Sequence, residues 1–262
     1  MLGFELKKIL RKKIAIASII IYILIGTYWC WVLIENVSGM GIGDIYGHFF
    51  DLEMVYMQLM ITWVCFLITQ LFPLEYNTNM IQILSITKNG TKKFWSVKIK
   101  VALLFSNCLY LLYLTVVLVS WLIKFGFHFD MPVVGEYYFS AIIKNPSINT
   151  LGEVLLIHIL AAFLSVNTTA LICLYLSNRL KKALLSSVII LTISFILAIF
   201  PEIFGIRILS VFSPLVFGQL DDCYAFGVKI GSLYVNLYMI TFMSYAAVAG
   251  MLIIKLKRMK MR

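Results

Sequence analysis

The 262-residue chain is 62% hydrophobic and 13% charged, and its 22 Lys and Arg against 12 Asp and Glu give a formal charge of +10. A soluble fold of that length cannot cover so much apolar surface with polar groups, so the composition excludes an ordinary globular domain and makes lipid the solvent for most of the chain. Nor does the basic charge mark a nucleic-acid partner, because the aromatic residues fall inside or at the rims of apolar stretches and do not alternate with solvent-facing basic ones.

In chain order, residues 2–13 predict an amphipathic helix on the inner membrane surface. Leu2, Leu6, Ile9 and Leu10 share one face, and Lys8, Arg11 and Lys12 another. Six apolar stretches follow, at 14–34, 54–74, 101–123, 151–176, 183–200 and 232–254. Each approaches or passes the ~20 residues with which a helix crosses a hydrocarbon core about 30 Å thick. Helix is expected because backbone groups in lipid must pair within their own segment. The alternating segments of about 10 residues that would form a membrane β-barrel are absent. The expectation is an all-α polytopic membrane protein with one domain, 1–262, and six transmembrane helices. The first stretch exceeds the ~7–15 residues of a signal-peptide core and reads as a retained span.

The connection 75–100 predicts a short helix in which Met80, Ile83, Leu84 and Thr87 share a face, then a stop at Asn89-Gly90. Thr91 can cap a second helix that runs through Lys92, Lys93 and Trp95 into the third span. The outer connection 201–231 contains the apolar run 203–212, too short to span, and predicts a re-entrant or interfacial segment.

Basic residues set the orientation. All but Lys124, Lys144, Arg207 and Lys229 of the 22 lie at the two ends or in the second and fourth connections, so both termini are expected in the cytoplasm. The charge then reads as topology plus attraction to anionic lipid. Trp29, Trp31, Tyr56 and Trp121 fall where an outer aromatic belt belongs. The cysteines form no paired framework and no C-x-x-C, and although a Cys30–Cys223 bridge is conceivable, free thiols are expected.

Several chemistries are missing. The span interiors carry no acidic or basic relay of the kind that ion-driven transporters keep near the midplane. Glu153 reads as interfacial, and His158 as a hydrogen-bonded packing residue or, alternatively, a ligand. His48 and His128 lack metal-ligand spacing, and no metal site is expected. No protease, hydrolase or P-loop motif occurs, so an enzyme is not expected and any ATP-driven work needs a separate subunit. Asn107, Asn167, Thr168 and Thr169 are polar groups inside spans. They read either as interhelical hydrogen bonds or, for Asn107, His158, Asn167 and Thr168, as a candidate substrate path.

The second connection carries a resemblance. Phe72-Pro73-Leu74-Glu75, then Asn79-Met80-Ile81-Gln82-Ile83-Leu84, then Lys92-Lys93-Phe94-Trp95, resembles the coupling segment of type-2 ATP-binding-cassette permeases. Asn79 departs from the glycine common there. A basic surface helix, six spans and a chain without its own ATPase domain agree with the family too. The resemblance implies a coupling helix, with Glu75, Asn79, Met80, Ile83 and Leu84 seated in a cytoplasmic ATPase dimer that holds the ATP and Mg. It also implies a second permease copy or a sister permease. The small, lysine-rich style looks like bacteriocin or lantibiotic self-immunity exporters, which implies a bacterial plasma membrane and an amphipathic peptide or lipid-like substrate. The alternative is a membrane-embedded sensor, regulatory or assembly protein without a transport cycle.

Overall fold

The computed structural model describes residues 13–37, 39, 57–71, 90–128, 130, 150–204, 213, 227–230 and 233–258. Among them the chain forms helices α1 (Lys13–Val37), α2 (Met57–Leu71, its last turn Thr69–Leu71 tightened to a 3-10 turn), α3 (Gly90–Phe125), α4 (Leu151–Leu180) and α5 (Ala183–Ile203). A short antiparallel hairpin, β1 (Gly227–Ile230) and β2 (Leu233–Asn236), then precedes helix α6 (Leu237–Arg258). Five of the helices are long and apolar enough to cross a membrane, α2 being the shorter one. The chain is a multi-pass helical membrane protein.

The organising element is α4, which packs against α3, α5, α6 and the end of α2. Its sequence explains why. Ala161, Ser165, Thr169, Cys173 and Ser177 recur every four residues and are all buried, so they present one narrow, shallow ridge. Small residues let helix backbones approach closely, which matters in lipid because apolar side chains gain little by leaving it. The hydroxyls add no polar cost, since Thr169 donates to the Ser165 carbonyl and Ser177 to that of Leu174. The Cys173 thiol of this ridge meets Cys65 of α2. By contrast, α1 and α5 lie at the periphery and turn large residues such as Leu24, Trp31, Phe195 and Phe200 outward.

Side-chain pairs give the helix directions. Asn107 and Tyr110 of α3 bond Asn167 and Ile159 of α4, rising numbers against falling ones, so these helices are antiparallel. The chain reverses between α4 and α5 at Lys181, whose left-handed backbone (φ 54°) lets its N–H donate to the Ser177 carbonyl. At the same end Arg179 and Lys255 flank the Tyr175 ring, 5.6 and 5.8 Å from its centroid. Lys98 lies there also, bonded to Leu71. The described basic residues of α4, α6 and the start of α3 thus gather at one end of the bundle.

Two expectations change. The last helix begins at Leu237, and residues 233–236, expected within the span 232–254, belong to the hairpin. Trp121, expected in an outer belt, is fully buried against Phe125, its ring 4.9 Å away; Trp29 and Trp31 are exposed. The helix expected to run from near Thr91 into the third span is present from Gly90, and at 36 residues it is about 54 Å long, far more than a ~30 Å core needs. The surface helix expected at 2–13 lies outside the described residues except for Lys13. Tyr56, Cys223 and most of the segment 201–231 lie outside them as well.

Candidate functional site

Three places carry polar side chains into the bundle. The first is the base of the second connection. Glu75, Asn79, Met80, Ile83 and Leu84 lie outside the described residues, but the two helices that lead into and out of them are described. The early turns of α3 bury Phe94, Trp95, Lys98 and Ile99, positions that share one face at helical spacing. Lys98 is 1% exposed; its Nζ donates to the Leu71 carbonyl at 2.9 Å and lies 5.3 Å from the Phe94 ring centroid. That carbonyl belongs to the last residue of α2. Lys98 therefore ties the end of α2 to α3, just where the connection leaves the bundle.

The second place is the α3–α4 interface. The Asn167 side-chain amide donates both to Asn107 Oδ1, at 2.9 Å, and to the Phe163 carbonyl, at 2.8 Å. With Tyr110 donating to the Ile159 carbonyl at 2.9 Å, this is a seam between helices. In hydrocarbon such a bond contributes roughly 0.6–2 kcal/mol.

The third place is a cleft. Helices α5 and α6 both pack on α4 but hardly touch each other, and the gap between them is a cavity of about 270 Å³. Ile172, Leu176, Ile190 and Val248 supply apolar wall, while Thr168, Ser194, Ser244 and Tyr245 bring hydroxyl groups. Among the described residues no charged one lines it.

No family model, curated protein or solved structure matches this chain.

The candidate path of Asn107, His158, Asn167 and Thr168 is divided by this geometry. Consecutive helix residues point about 100° apart. Asn167 therefore meets α3 while Thr168 opens into the cleft among α4, α5 and α6. His158 is buried on α4 about 15 Å along the axis from Thr168. Two of the four are brought together as a pair, and the other two stand apart from it.

The sequence reading missed Lys98 as a tie, for no pattern marks which of several basic residues turns inward. It also missed the role of Glu153, where a signal existed. Thr150 and Glu153 form a capping box, the Thr150 hydroxyl accepting from Glu153 N–H at 3.3 Å and the Glu153 carboxylate accepting from Thr150 N–H at 3.2 Å. The spacing T-x-x-E before an apolar run is the signature of that cap. No group of side chains able to hold a metal ion occurs among the described residues.

Proposed function

We propose that this chain is the membrane-spanning, non-ATPase subunit of an ATP-binding-cassette exporter in a bacterial plasma membrane. It would have six spans and both termini in the cytoplasm, and it would work with a cytoplasmic ATPase dimer and a second permease copy or sister permease. The observation that carries the reading is the second connection. It bears the coupling-segment pattern from Phe72 to Trp95, and the helices on either side of it are held together at its base by Lys98 and Leu71. A lever transmits force only if its root is fixed, and this root is fixed to the longest of the described helices. The gathering of basic residues at that end supports a cytoplasmic placement.

In this reading the 80–84 helix seats its apolar face in a cleft of the ATPase, with Glu75 as a polar latch. Closure of the ATPase dimer on ATP pushes the helix, and α2 and α3 carry the displacement into the bundle. The cargo is amphipathic, an antimicrobial peptide or a lipid-like molecule taken from the bilayer. Leu84→Asp tests the coupling: the complex should still insert and hydrolyse ATP, while export of cargo, read as tolerance of the producing cell to its peptide, falls to the level of a deletion strain. Undiminished tolerance with Leu84→Asp would overturn the assignment of the segment.

A further inference from the structure

We infer that the cleft among α4, α5 and α6 is a binding site for an uncharged, lipid-soluble amphiphile, one extended hydrocarbon chain bearing a hydroxyl group. Shape selects a single chain. Between Thr168 and Leu176 the cleft runs about 12 Å along α4. Over that length the cavity of about 270 Å³ has room for one extended chain laid along α4. The gap opens sideways, because α5 and α6 meet α4 and hardly each other, so a molecule already dissolved in the bilayer enters without passing through water.

Polarity selects the hydroxyl. Thr168 is 1% exposed, and its Oγ1 has no hydrogen-bond partner in the protein. Elsewhere on α4 the buried hydroxyls of Thr169 and Ser177 fold back onto carbonyls of their own helix. Thr168 does not, and a hydroxyl left unmet in an apolar cavity is unfavourable unless a ligand or a water completes it. Ser244 stands at the same level with its hydrogen committed to the Thr241 carbonyl at 2.7 Å, so its oxygen remains free to accept. One ligand hydroxyl can then accept from Thr168 and donate to Ser244. Counted along each helix from the basic end, Thr168, Ser194, Ser244 and Tyr245 lie about 16–21 Å up, while Leu176 lies only about 6 Å up. The ligand hydroxyl therefore sits near the middle of the membrane, and its chain runs toward the basic end along Ile172 and Leu176. With no charge among the described lining residues, a charged head group would lose its hydration without compensation.

The site does not depend on the exporter reading, and its test uses the full chain purified alone into lipid nanodiscs. The probes are a long-chain alcohol carrying a photoreactive diazirine and the alkane of the same length. The expected result is cross-linking of the alcohol concentrated on Ile172, Leu176 and Val248, with little on the outward-facing Leu156 and Ile199. Thr168→Val keeps the side-chain shape and removes the hydroxyl. It should lower labelling by the alcohol about fivefold, the worth of one hydrogen bond, and leave labelling by the alkane unchanged. Val248→Trp, which fills the gap, should lower both. Labelling spread evenly over outward-facing positions, or a Thr168→Val variant that labels as wild type does, would overturn the site. Preferential capture of a photoreactive apolar peptide over the alcohol would overturn the ligand class.

Discussion

Lys98 is an amine kept inside an apolar bundle, and its surroundings explain how that is tolerable. Its alkyl stem packs among apolar neighbours, its Nζ meets the carbonyl of the last residue of α2, and the Phe94 ring lies near it. Replacement by Met keeps the stem and removes the donor, so the Leu71 carbonyl loses its partner. The expected cost is about 1–3 kcal/mol, read as an earlier midpoint in detergent-induced unfolding. An unchanged midpoint for Lys98→Met would show that the end of α2 is held by something else. The Asn107–Asn167 pair works by the same economy of partners: one amide satisfies both a side chain and a carbonyl, so the polar pair sits in lipid as a joint between helices.

At the scale of elements, the α4–α5 reversal depends on one residue. Lys181 holds φ 54°, a conformation that costs an L-residue with a Cβ roughly 1 kcal/mol and costs glycine little. Lys181→Gly should therefore raise stability by about 1 kcal/mol, with Arg179 and Lys182 still present as basic residues at the turn. A drop in the unfolding midpoint would mean that the lysine side chain, and not the backbone, makes the turn. Most of the helices were legible in the sequence, because lipid demands long apolar runs whatever the fold, and α4 and α5 begin at the residues where apolar character begins. Boundaries against water were less legible. The run at 233–236 is apolar enough to read as span, yet it pairs with β1, since apolar residues serve a hairpin as well as a helix. By contrast, the early turns of α3, four lysines included, read as a helix capped near Thr91 and running into the third span, and they are helical, with one face buried. Which faces meet was not legible at all. Asn167, Thr168 and Thr169 look like one polar cluster in sequence, and the helical turn sends them to different neighbours.

The whole molecule is a bundle around α4, with a root for the second connection at its basic end and a sideways cleft among α4, α5 and α6. The exporter account joins these two features. Force enters at the root tied by Lys98, and the helix that floors the cleft is also the helix against which α2 and α3 pack, so a shift of the root displaces the wall of the cleft. The account therefore requires a partner ATPase at the 75–84 segment. The most direct measurement is purification of the tagged chain from cells expressing its neighbouring genes, with assay of the eluate for ATPase activity. The account predicts a stoichiometric ATPase subunit for the wild type and for Thr168→Val, and an ATPase whose hydrolysis no longer responds to the permease for Leu84→Asp. Recovery of the chain alone, under conditions that keep other membrane complexes intact, would contradict it and leave a membrane-embedded regulatory protein in its place.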